Sequence, residues 1–167
     1  ITIGIGGTGT NDLGLGLCKP FGLKLFDKRG NELAVLPKNY SSVDKIILPK
    51  STNVSIEVVL DVESPLFGKD GPSRVFAPQK GATPNDIALL ERGVKNIIRV
   101  LERDHSIRLK DKLYGAGGGL TLGLSLIADV KVILSKQFLL ERLKLAARIK
   151  HCDVVITGEG KFDKQSF

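Results

Sequence analysis

The residues of this chain best suited to chemistry cluster where short apolar runs give way to glycine. The opening sixteen residues, ITIGIGGTGTNDLGLG, pass from strand formers into a glycine-rich turn, with Thr10, Asn11 and Asp12 just beyond it. Glycines let a backbone approach an anion closely, and a helix starting after the turn would aim its free N–H groups at the same place. That is the layout of a phosphate or anion site. Near the other end, Val154-Val155-Ile156-Thr157 reads as a buried strand running into Gly158-Glu159-Gly160-Lys161-Phe162-Asp163, a turn with two carboxylates and a lysine. Two strand-ended polar loops point to one shared site. A third β-branched run, Val54 to Leu60, also ends on a carboxylate, Asp61.

The elements that must position these loops alternate between α and β. Leu23 to Phe26 reads as a strand, Asp27 to Asn31 as a turn, and Glu32 to Leu36 as a returning strand stopped by Pro37. Residues 38–53 read as polar loop around Ile46-Ile47-Leu48. Pro84-Asn85-Asp86 opens a helix whose Ile87, Leu90, Val94, Ile97, Ile98 and Leu101 fall on one face, a core-packing pattern. Gly115 to Gly119 forms a second glycine cluster leading into an apolar segment, Leu120 to Ala128, that reads as a buried helix. Glu141 to Lys150 reads as a further helix, basic on its outer side, feeding the last strand.

Composition narrows the class. A length of 167 residues, 42% hydrophobic and 26% charged, suits one folded domain, or a small domain carrying pieces of another. The formal net charge of +7 favours anionic partners. Only 5% of residues are aromatic, and none interleaves with a basic run as a base-stacking surface requires, so nucleic acid is not expected as a partner. Cys18 and Cys152 are the only cysteines and lie far apart, which argues against a disulfide framework or a four-ligand zinc site and for a reducing, cytoplasmic setting. The apolar stretch Leu120 to Leu134 is broken by Asp129 and Lys131, so neither a secretion signal nor a membrane span is expected. The chain has no methionine and starts inside a strand-like run. It therefore reads as an internal piece of a longer polypeptide whose flanks complete a sheet.

One motif offers a competing reading. Gly4-Ile5-Gly6-Gly7-Thr8-Gly9 fits G-x-G-x-x-G, with Asp27 at a plausible distance for the ribose-binding acid of an NAD(P) or flavin fold. Against it, Gly14, Gly16 and Pro20-Phe21-Gly22 interrupt the window where the helix should run. No G-x-x-x-x-G-K-[ST] occurs, because Phe162 follows Gly158-Glu159-Gly160-Lys161.

The middle of the chain favours another assignment. Asp61-Val62-Glu63-Ser64-Pro65-Leu66-Phe67-Gly68 and Arg74-Val75-Phe76-Ala77-Pro78-Gln79-Lys80-Gly81-Ala82 resemble the D-V-x-N-P-L-x-G and F-G-P-Q-K-G-A signatures of bacterial type I glycerate kinases. In the same order, Ile3 to Gly14 resembles I-G-x-G-G-S-A-T-N-D-G-G, Gly115 to Gly123 resembles G-A-G-A-A-G-G-x-G, and Asp153 to Gln165 resembles A-D-L-V-I-T-G-E-G-x-x-D-x-Q. The resemblance implies ATP- and Mg²⁺-dependent phosphorylation of D-glycerate, usually on the 2-hydroxyl. It also implies a two-domain α/β kinase in which a mixed α/β domain is inserted into a flavodoxin-like or Rossmann-like one. This chain would be the central portion: residues 1–16 a hinge strand and glycine-rich loop, 17–150 the inserted domain, and 151–167 the start of the return. The rest of both domains would lie in N- and C-terminal parts of the same polypeptide, without which the piece is not expected to turn over.

Phosphoryl transfer needs charge neutralisation, a metal bridge, an aligned alcohol and an acceptor for its proton. On this reading Asp12, Asp61 and Lys80 are the catalytic candidates. Gly6, Gly7, Thr8, Thr10, Asn11, Arg74, Gln79, Gly81, Gly117 and Gly118 are candidates for binding phosphate or the glycerate carboxylate. Glu159 and Asp163 are the magnesium-side pair, since Mg²⁺ takes hard oxygen ligands. Asn11 and Asp12 could equally cap a helix, Gly6 to Gly9 could be only a tight turn, and the last loop only a charged surface turn. His105 and His151 are expected to do nothing catalytic. Thr8-Gly9, Ser64 and Ala77 depart modestly from the family pattern. Leu120, Thr121 and Leu122 depart further, which weakens the expectation of close packing against a ligand there. An NAD(P)-binding oxidoreductase and a non-catalytic remnant of the kinase are the alternatives.

Overall fold

A computed structural model of the chain describes residues 1–6, 8–75, 77–78, 81–107, 115–156 and 158. The chain forms two compact units, Ile1–Ser135 and Lys136–Phe167.

The first unit opens with β1 (Thr2–Ile5), whose last residue is buried. After the glycine-rich loop, Leu13 and Gly14 take left-handed backbone angles (φ 59° and 69°) and start a short helix, α1 (Leu15–Cys18). A hairpin follows, β2 (Lys24–Phe26) and β3 (Glu32–Leu33), closed by the Asp27 carboxylate, which accepts from the backbone of Arg29 and Asn31 and from the Asn31 side chain. The returning strand is shorter than its apolar run suggests, because the Ala34 carbonyl turns inward to accept from Leu36 N–H and the Asn39 amide. A 3₁₀ segment, Pro37–Ser42, leads to β4 (Lys45–Ile47). Here the sequence reads as loop, but Ile46 pairs across from Leu25 and both are buried.

Next come β5 (Ser55–Leu60), the single turn α2 (Pro72–Val75) and the long helix α3 (Pro84–His105). The α3 start is a capping box: the Thr83 hydroxyl accepts from the Asp86 amide and the Asp86 carboxylate accepts from Thr83 N–H. Asp86 is held below the usual carboxylate range by its side-chain bond to Thr83. Val94, Ile97 and Leu101 are buried as their spacing predicts, while Ile87 and Leu90 are half-buried. The helix packs on the 3₁₀ segment, where the Asn96 amide donates to the carbonyls of Tyr40 (2.8 Å) and Val43 (2.7 Å).

Then α4 (Ala116–Ile127) begins with three left-handed glycines, Gly117, Gly118 and Gly119, at φ 60°, 69° and 86°. A right-handed apolar helix follows, as expected. The unit ends in β6 (Asp129–Leu134), a strand the sequence reading did not foresee. Asp129 and Lys131, taken as breaks in an apolar stretch, are its exposed positions, alternating with the half-buried Val130 and Val132. That period of two is the strand signal.

Two sheets result. One is parallel, in the order β1-β5-β6, and the other antiparallel, in the order β3-β2-β4. The core between the elements includes Leu13, Leu15, Leu25, Leu60, Ile97 and Leu122, each fully buried and each contributing about 1.5–3 kcal/mol by leaving water. This topology removes the dinucleotide reading. The acid of such a fold ends a strand parallel to the first, whereas β2 pairs antiparallel with β3 and β4, and the Asp27 carboxylate is committed to its own turn.

Ser135, the last residue of the first unit, opens the helical turn α5 (Ser135–Gln137), and the second unit continues through a π-helical segment, Phe138–Arg142, to α6 (Leu145–Ile149). The single helix expected over Glu141 to Lys150 is divided at Lys144, which is left-handed (φ 50°). The buried strand expected at Val154 is also corrected. Val154, Val155 and Ile156 are 75%, 53% and 93% exposed and pair with no strand among the described residues. β-Branched side chains favour a strand only where a ladder partner and a covered face exist. Among the described residues no helix is long and apolar enough to cross a membrane.

Candidate active site

The parallel pairing aligns Ile5 with Leu60 and Leu60 with Leu134, so the chain leaves β1, β5 and β6 at one edge of the sheet. The carboxyl edge of such a sheet is where ligands bind in open α/β folds. Three segments emerge there: the glycine-rich loop after Ile5, the loop beginning at Asp61, and Ser135. The last two touch, the Ser135 hydroxyl donating to the exposed Asp61 carboxylate at 3.0 Å.

The first loop is fixed from within. The Asp12 carboxylate accepts from Gly14 N–H and Gly16 N–H, both at 3.1 Å, so from two positions before the N-cap, Gly14, it takes up a free N–H of the first turn of α1. Its backbone carbonyl accepts from the buried Tyr40 hydroxyl at 2.9 Å. Burial pushes the Tyr40 hydroxyl well above its ordinary pKa, with the Asp12 charge adding to the effect, so Tyr40 remains a proton donor. Burial first, then Asp12, pushes the neighbouring Cys18 thiol up to about 12 and leaves it protonated.

The loop is also locked from outside by the second glycine cluster. Leu13 N–H donates to the Gly118 carbonyl at 2.9 Å. A side chain on Gly117 would strike Ile5, one on Gly118 the Thr10 carbonyl, and one on Gly123 the Gly14 backbone. Gly115 N–H donates to the Ser64 carbonyl at 2.9 Å, which ties the same cluster to the loop after β5. The close packing in question at these glycines is thus made, against the first loop itself. The sequence shows the glycines but not their partner.

Some of the first loop stays open. Gly6 and Gly9 are exposed, and a Cβ built on either meets nothing within 4 Å. Thr10 is exposed as well. The Asn11 amide donates to the Ser73 hydroxyl at 3.1 Å, bringing α2 beside the loop, while Asn11 Oδ1 and Thr8 Oγ1 are buried with no hydrogen-bond partner among the described residues. Buried oxygens without partners call for a specific explanation, and a ligand or ordered water at the loop supplies one. Arg74, the residue after Ser73, is exposed, with its Nε 3.8 Å from Glu91 Oε2. Gly81 is an exposed left-handed residue (φ 89°) in a turn whose N–H donates to the Pro78 carbonyl. Gly7, Gln79, Lys80, Glu159 and Asp163 lie outside the described residues.

Open glycine backbone and the exposed Asp61 carboxylate suit a phosphate-bearing ligand with a divalent cation: Mg²⁺ usually retains waters and needs only one or two carboxylates. Among the described residues no group of three or more His, Cys, Asp or Glu is placed to hold a metal alone. His105 Nε2 lies 2.9 Å from the Ile46 carbonyl. Two residues missed in the sequence enter the site. Ser135 announces itself only through the unforeseen β6. Glu91 had a visible signal, a carboxylate between Ile87 and Val94 on the apolar face of α3.

The fold and site define an α/β protein whose glycine-rich loop leaves the carboxyl edge of a parallel sheet. Comparison with known proteins makes this specific. The model of the glycerate kinase family matches residues 1–167. The chain is 37% identical over 169 residues to a glycerate kinase of Haemophilus influenzae, with 98% of this chain and 45% of that protein covered. It is 36% identical over 172 residues to the glycerate 2-kinase of Escherichia coli K12, covering 99% of this chain and 45% of that protein. A crystal structure of a Salmonella typhimurium LT2 protein assigned as glycerate kinase 2 matches with a TM-score of 0.75 and 34% identity, over 99% of this chain and 46% of that one. The chain belongs to the glycerate kinase family. It spans about half the length of these relatives.

Proposed function

We propose that the polypeptide carrying this chain is a cytoplasmic kinase that moves the terminal phosphoryl group of ATP to D-glycerate, at its 2-hydroxyl, with Mg²⁺. The supporting observation is the convergence at one sheet edge of the open Gly6 and Gly9 backbone, the Asp61–Ser135 pair and α2, held there by the second glycine cluster. Magnesium, when bound, would neutralise charge on the transferring phosphate. In this reading Asp61 receives the proton of the attacking hydroxyl, and the Ser135 hydroxyl, which donates to it, orients it. The backbone at Gly6 to Gly9, with Thr8, Thr10 and Asn11, holds the anionic group. Asp12 keeps that backbone in shape through Gly14 and Gly16. Gly117 and Gly118 act through the same loop, as its packing partners. Arg74 takes the acid's carboxylate, bidentate recognition being its strength. Lys80, with Gln79, Gly7 and Gly81, is assigned to the remaining anion contacts, and Glu159 and Asp163 are the magnesium-side pair of the same reading. The two-domain organisation implied by the motifs, with the site in the cleft, belongs to the same proposal.

The test is ADP release by the protein expressed from its own reading frame, assayed with D-glycerate and Mg²⁺ present or individually omitted. Dependence on both supports the reading, and ³¹P NMR of the product distinguishes 2- from 3-phosphoglycerate. ADP release indifferent to glycerate, or none at all, sinks it. In the active protein Asp61→Asn should lower kcat by about 10²-fold or more while leaving the fold intact.

A further inference from the structure

A carboxylate lies buried on α3, directly behind the loop that follows β5. Glu91 is 5% exposed. Its Oε2 accepts from Gly68 N–H at 3.2 Å and lies 3.8 Å from Arg74 Nε, and its Oε1 is buried with no partner among the described residues. One turn further along α3, the Lys95 ammonium sits 5.6 Å from the centre of the Phe67 ring. The helix therefore grips two consecutive loop residues, Phe67 and Gly68, with side chains four positions apart. The loop is closed on itself as well, since the Ser64 hydroxyl donates to the Asp70 carbonyl at 3.0 Å. Beyond it, Ser73 bonds to Asn11 of the glycine-rich loop.

A charge this deeply buried is costly, and an apolar residue at position 91 would continue the α3 core without that cost. A half-satisfied carboxylate facing an exposed guanidinium is the arrangement expected if the arginine has to be held in one direction. At 3.8 Å the pair is attracted but not hydrogen-bonded.

We infer that Glu91 is a positioning residue for the site: through Gly68 N–H it sets the loop after β5, and through its charge it holds in one direction the guanidinium of Arg74, the residue after the Ser73 that bonds to the glycine-rich loop, so that Arg74 meets the carboxylate of the acid substrate. This rests on the kinase reading above. Glu91 itself touches no substrate.

The experiment is steady-state kinetics of Glu91→Gln, Arg74→Ala and the double variant in the protein expressed from its own reading frame. Gln keeps the volume and the acceptor for Gly68 but loses the charge, and Arg74 is exposed, so both singles should fold. Each single change should raise the KM for D-glycerate by about five- to tenfold, with a smaller effect on kcat and none on the KM for ATP. The double variant should be no worse than Arg74→Ala, because Glu91 acts through Arg74. Additive losses, an unchanged glycerate KM in Glu91→Gln, or equal effects on both substrates overturn the inference while leaving the kinase reading standing. A parent protein with no glycerate-dependent turnover removes both together.

Discussion

Asp12 and Asp27 build nearly the same turn. Asp27 directly follows β2 and Asp12 lies beyond the loop after β1, yet each accepts backbone N–H groups two and four residues on: Gly14 and Gly16 for Asp12, Arg29 and Asn31 for Asp27. The difference lies in what surrounds them. The Asp27 turn stands at the surface of a hairpin and takes its remaining bond from the Asn31 side chain. The Asp12 turn is gripped by Tyr40 through a backbone carbonyl and by the second glycine cluster through Leu13 N–H. A local device has become a locked loop in the candidate site because distant residues converge on it. The same device, left alone, is only a turn.

The comparison breaks most visibly at glycine. Gly118 is left-handed (φ 69°), and a Cβ there would run into the Thr10 carbonyl, so Gly118→Ala should cost about 3 kcal/mol or more and distort the loop. Gly30, in the hairpin turn, is also left-handed (φ 82°) but a Cβ there meets nothing within 4 Å, so Gly30→Ala should cost about 1 kcal/mol. Urea midpoints of the two variants at equal m-value measure both. Similar losses would mean that backbone strain alone matters and that the convergence on the first loop is not what sets it apart. Tyr40→Phe is a milder test of the same grip. It deletes the hydroxyl that donates to the Asp12 carbonyl and leaves the ring in place, for an expected loss of about 1–2 kcal/mol.

What could be read in the sequence follows the same division between local and distant. The α3 helix was legible because its signals are local: Thr83, Pro84 and Asp86 at the start and apolar residues at helical spacing. The glycine-rich loop and the strand ending at Asp61 were legible for the same reason. The grip of Gly118 on Leu13 was not, because nothing in either segment names its partner 105 positions away in the chain. β4 and β6 were missed because each is defined by the strand it pairs with, and Val154 to Ile156 was overread because β-branched residues were counted without one. Glu91 lay in plain view on the apolar face of α3. Its meaning needed Gly68 and Arg74 beside it.

The smallest expected effect sharpens the comparison from the other side. Bonds from the Asn31 side chain, and then from its backbone, hold Asp27 below the usual carboxylate range. A carboxylate more acidic in the folded state contributes stability that is present above its unfolded pKa of about 3.9 and disappears as pH falls through the lower, folded value. Asp27→Asn retains an acceptor oxygen but cannot ionise. At neutral pH it should therefore be slightly less stable than the parent, and that gap should close as the solution is acidified below about pH 4. Paired urea unfolding curves across acid pH measure the gap. A difference that stays constant through that window would show that the turn depends on geometry rather than charge. On the proposed kinase reading, turnover at neutral pH should be untouched by the substitution, since among the described residues the Asp27 carboxylate bonds only within its own hairpin. A large loss of activity in Asp27→Asn would erase the distinction between the two aspartates and return Asp27 to the site.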